Sequence, residues 1–371
     1  MMALADQQID FPIIDSHIHL YAASHLKDLA WASTLPKDHV LSCQNSLDEY
    51  RAATKSCRNL LGFVFVETDR IAGLQDSEWD HAIEEVEFLT RIKSGTPIEG
   101  EGHTSTDKNL LLGIVAWAPV PASQASLETY LTRLNTTLSS CNQQTLLKGY
   151  RYLVQDKPLS TQLNPAFIQG LQTLEQSGPQ TFDLGVDFRQ GGHHQLLESI
   201  EMLHTLSSTS PSTSTLKIII NHLCKPNLHL TPQETPSHPD FTNWSTSIRT
   251  LASFKQTYLK LSGLFSELPS QPPDSPTPIA DLVAHTKPWL DVVFAAFGPR
   301  RIMFGSDWPV CNVGGPGREK AWGHWVEFVG AVLEDQGLDS EGKGRVWAGT
   351  AVEGYGLDVD LGTALVGRVR G

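Results

Sequence analysis

A chain of 371 residues with 40% hydrophobic side chains is long enough for a large core and fits one closed α/β barrel with insertions. Its 28 Lys and Arg against 41 Asp and Glu leave a net charge of −13, which sets the average surface against nucleic acid and anionic membrane as partners. The five cysteines (Cys43, Cys57, Cys141, Cys224 and Cys311) are odd in number, scattered and without a Cys-x-x-Cys pair, so they read as reduced thiols rather than a disulfide framework.

The polar residues 1–10 lack the apolar stretch of a signal peptide. The longest near-apolar run, 110–120, is about half of the ~20 residues a membrane helix needs. The expected address is therefore the cytoplasm and the expected partner a small-molecule substrate, with no membrane and no nucleic acid. The number of subunits is not legible.

Short apolar, β-branched runs recur along the chain at 11–14, 60–66, 110–116, 146–153, 182–186, 216–220, 258–261 and 301–304. Such runs suit strands of a parallel sheet buried on both faces. Between them, apolar residues at spacings of three and four predict helices. At 76–92 these are Trp79, Ile83, Val86, Leu89 and Ile92; similar segments lie at 126–138, 167–174, 196–206, 279–297 and 321–333, with further candidates around Trp31 and at 241–254. Eight strands alternating with about eight helices predict a (β/α)8 TIM barrel spanning 1–371 as one domain. A doubly wound open sheet would carry a Gly-rich turn after an early strand, and Ile14-Asp15-Ser16-His17 has none. Three stretches read as surface insertions: 94–108, the Ser/Thr/Pro-rich 207–215 and the proline-rich 268–278.

His17 and His19 follow the first apolar run. Two residues apart on a strand they point to one face, about 6.6 Å between Cα atoms, and can converge on one ion or one water. Fourteen histidines give about 0.5 His-x-His matches by chance, so location carries the argument, because active sites of such barrels sit where strands end. His222 closes the run 217–222, and Asp307 follows 302–306 and precedes Trp308-Pro309. Each has an ordinary reading, a carbonyl-bonded core histidine or a turn-capping carboxylate. Together they place four polar groups at the ends of strands one, six and eight. Glu67 ends the second strand and Arg151 the fourth; the Arg151 guanidinium suits a carboxylate or vicinal hydroxyls. Lys148 has the opposite parity to Arg151, so Arg151 is expected to face the pocket. Arg189 follows the fifth strand, His193-His194 is expected to start a helix, and Trp308 and Trp117 stand where a pocket would be lined.

These segments resemble the amidohydrolase superfamily, in particular its amidohydrolase-related group with fuconolactonases and rhamnonolactonases. Residues 14–21, Asn221-His222-Leu223-Cys224-Lys225-Pro226, Lys260-Leu261-Ser262-Gly263-Leu264, 304–310 and 349–355 follow the group's blocks in order. Asn221 stands where the group has Asp and Cys224 where it has Gly. The fifth strand ends in Val186-Asp187-Phe188-Arg189 and offers no histidine, where binuclear members take a ligand.

The resemblance implies a metal-dependent-hydrolase type of barrel acting on a small cyclic ester, above all a sugar-acid (aldono) lactone. It implies catalysis by Asp307, as general base to the attacking water, with His222; Arg151, Glu67 and Trp308, from their places at strand ends, are the expected substrate-binding residues. One divalent metal, zinc being the expected one, would be held by His17, His19, His222 and Asp307; a metal-free route with histidine and Arg151 as electrophile is the other version. The alternatives are a metal-dependent decarboxylase or hydratase of the same superfamily and a metabolite-binding barrel without turnover.

Overall fold

The computed structural model describes residues 9–179, 181–209 and 216–362, and within them eight parallel strands lie in chain order in one sheet. They are β1 (Ile13–Ile18), β2 (Leu60–Val66), β3 (Leu111–Trp117), β4 (Leu147–Arg151), β5 (Thr181–Leu184), β6 (Lys217–Ile220), β7 (Thr257–Leu261) and β8 (Ile302–Phe304). The seam closes just beyond β8, where the Asp307 amide donates to the His17 carbonyl at 2.8 Å and the His19 amide to the Trp308 carbonyl at 2.7 Å. This is the (β/α)8 barrel that the alternation predicts.

The helices are α1 (Leu47–Thr54), α2 (Asp80–Ser94), α3 (Gln124–Ser140), α4 (Pro165–Ser177), α5 (Phe188–Gly191), α6 (His194–Thr209), α7 (Pro239–Ser253), α8 (Ile279–Phe297), α9 (Ala321–Asp335), α10 (Ser340–Gly344) and α11 (Thr350–Tyr355). Their ends carry the expected local chemistry. Asn164 caps α4 with Pro165 in its first turn, and α2 stops at Gly95 in the left-handed region. Around Trp31 the chain makes only two short 3₁₀ turns, Ala23–Asp28 and Ala32–Thr34. Of the stretches expected as insertions, 94–108 runs into the 3₁₀ turn Ser105–Asn109 and is tied to α2 by Arg91 and Glu101. In 268–278 the Gln271 amide reaches the Gly314 carbonyl. The stretch 207–215 lies mostly outside the described residues. No described helix is long and apolar enough to cross a membrane.

The core has two parts. One is the layer between sheet and helices, with Trp79, Trp244, Trp289, Trp322, Trp325 and Trp347 all within it. The other fills the barrel interior: Ile14, Val64, Val66, Val115, Ile219, Tyr258 and Met303 from the strands meet Ala348, Ala351, Tyr355 and Leu357 from the C-terminal segment. The lysines that begin two strands show which end is plugged. Lys148 Nζ donates to the Gly356 carbonyl at 2.8 Å and Lys217 Nζ to the Glu353 carbonyl at 2.7 Å. Hence α11 closes the end where strands start, and Lys148 is directed there, away from Arg151.

Candidate active site

A break in the pleat of β1 aims the first histidine. Strict alternation would send Ile14 and His17 to opposite faces, yet Ile14 packs inside the barrel and His17 contacts Lys260 there. The register between β1 and β2 shifts between Asp15 and Ile18, which restores the inward direction at His17 and carries it to His19. Asp15 turns the other way. Its carboxylate accepts from the Ser306 amide (2.7 Å), Tyr50 Oη (3.0 Å) and Trp322 Nε1 (3.0 Å), which staples β1 to the segment leading into Asp307. Gly305 permits the close approach: a Cβ there would lie 3.1 Å from His17 Cβ.

Asp307 has φ +60 and is held by the closing seam, its amide on His17 and its carbonyl on the Cys311 amide. Its Oδ1 lies 3.4 Å from His19 Nε2, 3.6 Å from His17 Nε2 and 3.8 Å from His222 Nε2. His17 Nε2 and His19 Nε2 are 3.1 Å apart. His19 Nδ1 donates to the Val66 carbonyl at 2.8 Å, which leaves Nε2 as its lone-pair nitrogen.

His222 reaches the same point through strained backbone. His222, Leu223, Cys224 and Lys225 all have positive φ, 51, 53, 60 and 48°, at a cost of about 1–2 kcal/mol per residue. The turn is held by Lys225 amide to His222 carbonyl (2.7 Å) and by Trp244 Nε1 to Leu223 carbonyl (2.8 Å). The His222 ring is set by Ser262 Oγ, 2.9 Å from Nδ1. Gly263, at φ +71, is required here, since a Cβ would lie 2.5 Å from that nitrogen. Strain of this kind gathers where the surrounding structure holds a functional group in place.

Burial governs the protonation of the site. It pushes His17 well below the ordinary histidine range, with Lys260 adding to the effect, and brings His222 down to about 3. Both rings are therefore neutral at pH 7. Asp307 feels burial in the opposite sense, but His222, His19 and Lys225 around it more than offset that, and its carboxyl lies below the usual range. The arrangement is an ionised carboxylate facing three imidazole nitrogens, a base beside hydrogen-bond donors or ligands.

Arg151 does face inward, and it is paired. Nε meets Glu67 Oε1 and Nη2 donates to the Glu67 carbonyl at 2.6 Å, both residues being buried. The other Glu67 oxygen accepts the Asp69 amide at 2.6 Å. Asp69 in turn lines a cleft of ≈ 270 Å³ with Arg70, Trp117, Tyr152, Asp156 and Lys157 among its walls. The Glu67–Arg151 pair thus stands between the carbonyl that holds His19 and the cleft. Trp117 lies where a pocket wall was expected. Trp308 is 1% exposed and packs on Tyr50 with ring centroids 5.3 Å apart. Arg189 pairs with Glu267 at 2.7 Å, and His193 with Ser247 at 3.0 Å.

The structure adds residues that sequence reasoning passed over. Lys260 on β7 and Asp183 on β5 are fully buried and paired at 2.5 Å inside the barrel. Tyr355 Oη reaches Asp183 from α11 at 2.7 Å. The signal for Lys260 and Asp183 was a charge within an otherwise apolar strand, which is rare unless it is paired. Three ligand atoms, one each from His17, His19 and Asp307, lie within 4.8 Å of one another.

Comparison with known proteins places the chain in a family. The family model described as Amidohydrolase matches residues 193–357. An L-rhamnono-gamma-lactonase of Scheffersomyces stipitis is 32% identical over 354 residues, covering 94% of this chain and 99% of that protein. The chain belongs to the amidohydrolase family. An L-fucono-1,5-lactonase of Burkholderia multivorans is 29% identical over 215 residues, 57% of this chain and 64% of that one. A solved amidohydrolase from Burkholderia multivorans with bound zinc shares the fold at TM-score 0.67 and 22% identity, covering 93% of this chain and 99% of its own. This amidohydrolase is accordingly a hydrolase, and a sugar lactonase is the activity of its relatives.

Proposed function

We propose that this amidohydrolase hydrolyses the lactone of a sugar acid, with an L-rhamnono-γ-lactone or a close aldonolactone as substrate. The observation that carries the reading is the convergence of Asp307 Oδ1 with three imidazole nitrogens within 3.4–3.8 Å at the end of the barrel where the strands finish. Water placed there gives its proton to Asp307 as it attacks the ester carbonyl. His222 and His17 face the oxygen on which charge develops. Arg151 and Glu67, with the cleft beyond them, hold the hydroxyls of the ring, and Trp308 packs on Tyr50 beside the seam.

His17, His19 and Asp307, with His222 beside them, are also the donors that would hold one divalent ion such as zinc. His19 is correctly turned for it, with Nδ1–H on a carbonyl and the Nε2 lone pair toward His17 and Asp307. Bound there, an ion would polarise the ester carbonyl.

The test is a pH-indicator screen of aldonolactones with purified protein, run with added zinc and with chelator, alongside elemental analysis. Acid release from a six-carbon aldonolactone is expected. Carbon dioxide release from an aromatic acid with no lactone turnover would replace this reading by a decarboxylase.

A further inference from the structure

Behind His17, on the side facing the plugged end, the barrel holds a buried charged chain. Tyr355 Oη donates to Asp183 Oδ1 (2.7 Å), Lys260 Nζ to Asp183 Oδ2 (2.5 Å), and the same Nζ lies 3.1 Å from His17 Nδ1. Lys260 and Asp183 are 0% exposed, and the Tyr355 ring lies beneath the ammonium at 5.3 Å. Anchored on these two sides, the lysine has little room to turn from the histidine.

Burial lowers the pKa of Lys260 and the Asp183 carboxylate opposes that; as an ammonium it has three donors and no acceptor. Toward His17 it can only donate, so Nδ1 is the lone-pair nitrogen and a neutral His17 carries its proton on Nε2. His19 has the opposite tautomer, because its Nδ1–H is on the Val66 carbonyl. His17 Nε2–H therefore donates to His19 Nε2 across their 3.1 Å contact, and every donor in the series meets an acceptor. A metal-ligating histidine ordinarily donates its far N–H to a carboxylate or a carbonyl. His19 follows that rule; His17 meets a cation instead.

We propose that Lys260 is a positioning residue that keeps His17 a hydrogen-bond donor into the site and thereby weakens His17, His19 and Asp307 as a metal site. The inference rests on and deepens the lactonase reading: His17 Nε2–H, accepted by His19 Nε2 in the free site, turns to meet the developing oxyanion, and Nε2 can take a metal ion only if that proton moves to Nδ1, where it would face the Lys260 ammonium. Asp183 and Tyr355 act through Lys260 by holding it in line.

The experiment inverts the polarity of the contact. In K260Q the amide can turn its oxygen to accept from His17 Nδ1–H; K260M offers neither donor nor acceptor; K260R remains a donor. Zinc affinity of each chelator-treated protein is measured by competition with a chromophoric chelator. K260Q is expected to bind about 10–100-fold more tightly than the unmodified chain, K260M to fall between, and K260R to stay within about threefold. No gain in K260Q and K260M would overturn the proposal. Because K260M leaves Asp183 buried without its cation, K260M/D183N repeats the measurement, with circular dichroism to confirm the fold.

A second readout is the ¹⁵N spectrum of labelled histidine, with His17 assigned by its loss in H17Q. The proton is expected on Nε2 in the unmodified chain and on Nδ1 in K260Q; Nδ1–H in the unmodified chain would equally sink the idea. Neither measurement needs a substrate. Failure of every lactone would remove the lactonase reading and leave this test standing.

Discussion

At the end of the barrel where strands begin, inward positions carry Ile14, Val64, Val115, Ile219 and Met303 packed on Ala351 and Leu357; toward the end where they finish, the inward positions carry His17, Lys260, Asp183, Arg151 and Glu67. The lower layer is held by close packing and gains from each buried apolar group. The upper layer is equally buried, but each of its charges needs a partner, since an unpaired one in that setting costs several kcal/mol. The two layers are one continuous interior, and Tyr355 spans them: its ring packs below while its hydroxyl reaches Asp183 above. The difference teaches that stability and chemistry are separable along the barrel axis, and substitutions at each level should show it.

The largest expected effect is at the end where the strands finish. Asp307→Asn removes the base while retaining volume and the seam hydrogen bonds of the backbone. A loss of about 10³-fold in kcat, some 4 kcal/mol in barrier, is expected with thermal stability little changed. Near-normal turnover on the substrate found by the indicator screen would remove Asp307 from its role.

Met303→Ala makes the complementary test in the plugged half. Met303 is fully buried and packs so closely on α11 that a Cβ at Gly354 would lie 2.9 Å from its Cε. Truncation leaves a cavity between β8 and α11, and about 3 kcal/mol of stability should be lost in a denaturant titration. With kcat measured well below the unfolding transition, activity should be retained. A large loss of kcat with unchanged stability would contradict the separation.

How much of this was legible in sequence follows the same division. The apolar layers announce themselves locally: 60–66 reads as a strand because every residue in it is buried or nearly so, and α8 emerged at Ile279–Phe297 as expected despite Pro288 inside it. His17, His19, His222 and Asp307 were legible from their positions at strand ends, although β1 in fact continues through His17. Helix α1 was missed although Ser46 and Glu49 form a capping box at its start, a readable signal in a segment with few apolar residues. The Lys260–Asp183–Tyr355 chain was not legible, because its members are 77 and 172 residues apart and nothing local states which charges meet. The β1 register shift, which decides where His17 points, depends likewise on pairing with β2.

Gly263→Ala lies at the boundary between packing and chemistry, with a smaller expected effect. The added methyl meets His222 Nδ1 and must be accommodated at φ +71, which costs about 1–2 kcal/mol in backbone strain alone. Pressure on the ring should break its contact with Ser262 and lower kcat by about tenfold, and Ser262→Ala should reproduce the kinetic part without the strain. If Gly263→Ala lowered stability alone, the ring's orientation would not matter to turnover.

The smallest effect is expected where a charge serves the plug. Lys217 Nζ donates to the carbonyls of Glu353 and Gly354 at the C-terminal end of α11, where a cation complements the helix dipole, and lies over the Tyr258 ring at 5.8 Å. Lys217→Met keeps the stem and removes the donor, so about 0.5 kcal/mol and a fall of about 1 °C in Tm are expected, with kcat and KM unchanged. The contrast with Lys260 is the sharpest form of the comparison. Both are lysines on inward positions of neighbouring strands, one donating to a helix end and the other to His17. Changing the first should move stability alone, and changing the second should move the tautomer and zinc affinity of the site. A measurable shift in zinc affinity in Lys217→Met would show that the plug is mechanically coupled to the site through Tyr355, and the two ends would then have to be treated as one device.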